Sequence, residues 1–70
     1  MTFRKGDPVT WHWGSGTAKG TVTEVFTEKV TRRIKGKTIT RNATPDDPAY
    51  LIRQDDGDHV LKSGSELSDG

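Results

Sequence analysis

The sequence predicts an all-β domain, a small barrel or sandwich, from three observations. Apolar residues alternate with polar ones at period two along most of the chain, and helical spacing is nearly absent. Clusters of Gly, Pro, Asn and Asp break that alternation at short intervals. The chain has 70 residues, 29% hydrophobic and 30% charged, which leaves room for one core and no second domain. Five aromatics and eight Val or Ile residues lift it above the composition of a disordered chain.

The elements follow in order. Lys5-Gly6-Asp7-Pro8 forms a turn, and Val9, Trp11 and Trp13 follow at period two as a first strand. Gly14, Ser15 and Gly16 interrupt the pattern, and residues 17–26 resume it as a second strand. Val22 and Phe26 share one face of that strand and Val25 the other, so a bulge or bend is expected near Thr23-Glu24. Residues 29–42 read as a hairpin turning at Lys35-Gly36, because Gly accepts the positive φ of a two-residue turn. That turn sets Ile34 opposite Lys37 and Arg32 opposite Ile39, and it gathers Val30, Ile34 and Ile39 on one face. Pro45 and Pro48 make residues 43–48 a loop. Residues 49–54 form a strand with Tyr50 and Ile52 on one face and Leu51 on the other, as expected for a strand buried on both sides. Asp55-Asp56-Gly57-Asp58 is a tight turn, residues 59–62 are the last clear strand, and Leu67 plugs one end of the fold. The expected core is Val9, Trp11, Val22, Val25, Ile34, Ile39, Leu51, Ile52, Val60 and Leu67. Residues 4–67 are read as one domain, with mobile ends at 1–3 and 68–70.

The formal charge of +1 conceals a strong asymmetry. Residues 1–44 carry nine Lys or Arg against three acids, and residues 45–70 carry two against seven. Between Lys29 and Pro45 there are six basic residues and no acid. The chain contains no cysteine, which excludes disulfides, thiolate zinc sites and cysteine nucleophiles and suits a reducing compartment; a cytoplasmic location is expected. No apolar run approaches the roughly 20 residues of a membrane span, and no secretory signal is visible.

Taken in order, Lys5-Gly6-Asp7-x-Val9-x-Trp11, Gly20-x-Val22, Asn42-Ala43, Pro48-Ala49-Tyr50 and Ser65-Glu66-Leu67 resemble the hypervirulence-associated protein Tudor domain family over residues 4–67. The resemblance implies a five-stranded SH3-like, Tudor-type barrel, here with an extended basic hairpin at 29–42. Such barrels occur as short stand-alone proteins in bacteria and as modules in some fungi. The resemblance implies no catalytic residue and no established ligand. The first third is also similar to the KOW motif of ribosomal and transcription-factor barrels, a shorter match that tilts toward nucleic acid.

Several constellations of residues bear on chemistry. Trp11, Trp13, Phe26 and Tyr50 are candidates for an aromatic cage around a methylated ammonium group, but alternation assigns at least one tryptophan to the core. Lys29, Arg32, Arg33, Lys35, Lys37 and Arg41 suit first a solvated edge hairpin whose charges block aggregation, then a phosphate backbone, and last an acidic protein surface. The glycines at 14, 16 and 20 lack the Gly-Lys-Thr order of a phosphate loop and no helix follows them. Asp55, Asp56 and Asp58 lack the EF-hand pattern, and His12 and His59 lack a third ligand for zinc. His59, Asp56 and Ser63 have no spacing that supports a triad. The expectation is therefore a non-catalytic binding module without cofactor or metal. Its ligand-binding candidates are Trp13, Tyr50, Arg32, Arg33 and Lys35. The expected partner is a macromolecule, protein or nucleic acid, and no membrane. The chain is expected to be a monomer, with weak self-association of one molecule's basic hairpin on another's acidic loop as a variant. Nucleic-acid binding by the hairpin at 29–42 is the alternative function.

Overall fold

A computed structural model describes residues 2–69. Seven strands form in order: β1 (Pro8–Trp13), β2 (Gly16–Phe26), β3 (Val30–Ile34), β4 (Lys37–Arg41), β5 (Ala49–Gln54), β6 (His59–Ser63) and β7 (Ser68–Asp69), with a 3-10 turn at Gly64–Glu66 before the last. Five of them make one antiparallel sheet in the order β6-β5-β2-β1-β7, which curls into an SH3-like barrel. The remaining two, β3 and β4, pair only with each other. No helix among the described residues is long and apolar enough to cross a membrane.

Strand β2 is long enough to serve two sheet neighbours because it bends. It pairs with β1 from Gly16 to Thr21 and with β5 from Gly20 to Phe26. The register shifts between Val22 and Glu24, at the expected place. Thr23 is the extra residue, and its hydroxyl donates to the Leu51 carbonyl at 3.0 Å. At Gly20, a Cβ would stand 2.6 Å from both the Arg53 carbonyl oxygen and an Ile52 methyl, so β2 and β5 approach closely only because a side chain is missing.

Period-two alternation along β5 divides the interior into two clusters. Tyr50 and Ile52 join Phe3, Val9, Trp11, Val22 and Leu67 inside the barrel. Ala49 and Leu51 face the other way, where Val30 and Leu61 complete a second cluster under the β3–β4 hairpin. Ile34 and Ile39 pack there from the hairpin and Phe26 from the end of β2. The hairpin has the expected register, Ile34 opposite Lys37 and Arg32 opposite Ile39. Its turn holds Lys35 at φ 53° and Gly36 at φ 78°, the paired left-handed conformations that match the twist of two-residue hairpins.

Two expectations are corrected. Val25 is 39% exposed rather than core, although the bulge sets it opposite Tyr50 on the barrel-facing side, while Phe26 pairs opposite Ala49 and packs in the second cluster. Residues near both ends have neighbours in the fold. Phe3 is buried edge-to-face against Tyr50, with ring centroids 5.5 Å apart, and Ser68–Asp69 pairs with β1 opposite Val9 and Thr10. Met1 and Gly70 lie outside the described residues. Tyr50, expected at a binding surface, is 0% exposed. Its hydroxyl accepts a hydrogen bond from the Phe3 backbone N–H at 3.0 Å, which satisfies both polar groups inside the barrel.

Candidate functional site

Ion pairs decide how the basic hairpin meets the rest of the chain. By parity Arg32 lies on the same face as Ile34 and so turns toward the barrel. Its guanidinium carbon stands 4.7 Å over the Phe26 ring centre, and Nη2 lies 3.6 Å from Glu24 Oε2. Lys35, at the turn, places Nζ 2.6 Å from Asp58 Oδ2 in the β5–β6 turn. Hydrogen bonding to Asp58, with the added attraction of its charge, raises the Lys35 pKa above the ordinary 10.5. At the far end of the hairpin, Arg41 Nε lies 3.8 Å from Glu66 Oε1, and Lys62 Nζ reaches the other oxygen of that carboxylate at 3.7 Å.

The acidic end of the chain is thus partly neutralised by the basic end of the same molecule. The β5–β6 turn is held on one side by Lys35 through Asp58 and on the other by Lys19, whose Nζ lies 4.0 Å from Asp55 Oδ2. Of the six hairpin cations, Lys29, Arg33 and Lys37 have no acidic partner within 4.0 Å among the described residues. Arg33 shares the outer face with Thr31, Thr38 and Thr40. The hydroxyls of Thr31 and Thr40 lie 3.1 Å apart across the two strands.

Arg32, Arg33 and Lys35 therefore stand together on one hairpin, and the two aromatic candidates do not join them. Trp13 ends β1 opposite Gly16 and is 65% exposed, alone at the tip of the β1–β2 hairpin. Trp11 and Tyr50 lie in the barrel core and Phe26 sits under Arg32, so the four aromatics form no common cage.

A feature that sequence reasoning missed lies beside the hairpin. A groove of about 310 Å³ runs between β4 and β6. Ile34, Ile39, Val60 and Leu61 give it an aliphatic floor, and Lys37, Arg41 and Lys62 give it a cationic rim. The parity of the hairpin already pointed to it, because Lys37, Ile39 and Arg41 share one face with period two.

Residues 6–67 match the family described as hypervirulence associated proteins TUDOR domain. No curated protein and no solved structure matches the chain.

Proposed function

Because the chain belongs to the hypervirulence-associated Tudor domain family, we propose that it is a non-catalytic interaction module that meets a macromolecular partner on the side of the barrel covered by the basic hairpin. One observation carries this proposal. The hairpin is an addition to a five-stranded sheet with which it shares no strand pairing, and it supplies unpaired cations next to an open groove. A ribbon that only blocked aggregation would need no such recess. Chemical-shift mapping tests the proposal as duplex DNA, single-stranded RNA, an acidic peptide and a trimethyl-lysine peptide are added in turn. Shifts on β3, β4 and β6 are expected with one of the first three. Silence with every probe, or shifts confined to the Trp13 tip, would contradict it.

Nucleic-acid binding is the second reading, favoured by Arg33 and Lys29 standing free next to the hydroxyls of the outer face. With Lys29, Arg33 and Lys37, the three unpaired hairpin cations, each on a phosphate, the slope of log affinity against log salt on duplex DNA is about −2.7. A titration at two salt concentrations measures that slope directly.

A further inference from the structure

We infer that the groove between β4 and β6 is a strand-addition site for an extended, acidic peptide of a partner protein. The inference rests on the interaction-module reading above and names its ligand class.

Strand β6 ends the five-stranded sheet, so one of its edges has no hydrogen-bonded strand, and β4 faces β6 across the groove without pairing to it. The groove touches four consecutive residues of that strand, His59, Val60, Leu61 and Lys62. Successive strand residues point to opposite faces, and here Val60 packs against the barrel core while Leu61 enters the cluster under the hairpin. A recess that reaches all four residues follows the edge of the strand rather than covering one face.

The hydrogen-bond parity shows what that edge offers. Gly64 N–H donates to the Pro48 carbonyl at 2.8 Å, and Gln54 N–H donates to the Asp58 carbonyl at 2.7 Å. These bonds mark the two ends of the β5–β6 ladder. In an antiparallel ladder bonded and non-bonded pairs alternate, so Tyr50–Lys62 and Ile52–Val60 are the bonded pairs between them. The N–H and C=O of His59 and Leu61 then point outward. Among the described residues they have no backbone partner. They are free to pair with an incoming strand.

Charge and shape select the occupant. Arg41 and Lys62 share the single carboxylate of Glu66, and Lys37 has no acid beside it. The Arg41 Nε is buried without a hydrogen-bond partner. No acidic residue lines the groove. The aliphatic floor has no aromatic plane for a nucleobase to stack on, but it suits the aliphatic side chains of a strand whose alternate residues are acidic. Among the described residues, the aspartates at 46–47, 55–58 and 69 offer no such strand. Asp55, Asp56 and Asp58 lie in a tight turn, Asp46 and Asp47 lie between two prolines, and Ser68–Asp69 is already paired with β1.

The test uses the whole isotope-labelled chain and an end-capped heptapeptide of alternating glutamate and valine. Amide shifts are expected at His59, Leu61, Lys37 and Ile39. Lys37→Glu, an exposed change whose fold is checked by unmoved amides in β1 and β2, should weaken binding about fivefold. Methylating the peptide backbone nitrogens that face β6 should weaken it about tenfold. Equal affinity for a lysine–valine peptide, or for the methylated one, would overturn the inference. So would shifts centred on Arg33, which would leave the interaction module standing and remove the groove. Displacement of the peptide by oligothymidylate would assign the groove to nucleic acid, and ligand-free shifts that grow with protein concentration would assign it to a second copy. Failure of every probe at every surface would count against the module as well.

Discussion

The barrel core and the layer beneath the hairpin share strand β5, yet they are held together differently. Inside the barrel, Val9, Val22, Tyr50 and Ile52 are sealed from solvent, and Trp11 is nearly so. Under the hairpin, only Val30, Ala49 and Leu61 are fully buried, while Phe26, Ile34, Ile39 and Leu51 remain partly exposed. Ion pairs make up the difference, with Glu24, Asp58 and Glu66 each holding a hairpin cation. Exposed pairs of this kind contribute little individually, about 0–1 kcal/mol, and salt screens them. The hairpin is therefore expected to open before the barrel. A surface for partners needs that freedom, and a small barrel cannot spare it from its core.

Truncation in the two layers separates them most strongly. Ile52→Ala should cost about 3–5 kcal/mol, a large share of the roughly 4–10 kcal/mol expected for a domain of this size. Chemical denaturation should show the loss as a lower midpoint for the whole molecule. If the loss were below about 1 kcal/mol, the barrel would not be the main core. Gly20→Ala comes next, at about 2–3 kcal/mol, because the added methyl meets the Arg53 backbone, which cannot yield as a side-chain tip can. Thermal unfolding compared with Gly16→Ala, where the nearest atom to the added carbon is 3.9 Å away, isolates that clash.

Ile39→Ala should cost only about 1 kcal/mol globally, since the residue is partly exposed. Its effect should concentrate in the hairpin, read as faster amide exchange in β3 and β4 with β1 and β2 unchanged. The smallest effect is electrostatic. Because the folded state raises the Lys35 pKa, the contact with Asp58 contributes fully below pH 10.5 and is lost as the pH climbs through the raised value. The thermal midpoints of the wild type and Lys35→Met should therefore differ at neutral pH and converge in the alkaline range. A difference that persisted there would assign Lys35 a packing role instead.

Local features were the legible ones. The hairpin register follows from one Gly and the parity of three aliphatic residues, and the bulge follows from the spacing of Val22, Val25 and Phe26. The double-sided burial of β5 was likewise visible in Tyr50, Leu51 and Ile52. What escaped depends on distant partners. A tyrosine suits a wet surface or a satisfied core, and Tyr50 is settled by a backbone N–H 47 residues away. The neighbours of Phe3 and Ser68–Asp69 are likewise distant in sequence, and only the folded barrel brings them together. The opposite charges of the two halves were plain in the sequence, but not that Asp58 and Glu66 meet Lys35 and Arg41 within one molecule. That pairing turns a uniformly basic ribbon into one with three free cations and a groove.

Native-state hydrogen exchange at low and high salt measures the contrast between the two layers most directly. The amides of β3 and β4 should exchange faster than those of β5, and added salt should widen the gap as the ion pairs weaken. Equal protection in hairpin and barrel, unmoved by salt, would mean that the ribbon is part of a single core and would remove the physical basis for a separable binding surface.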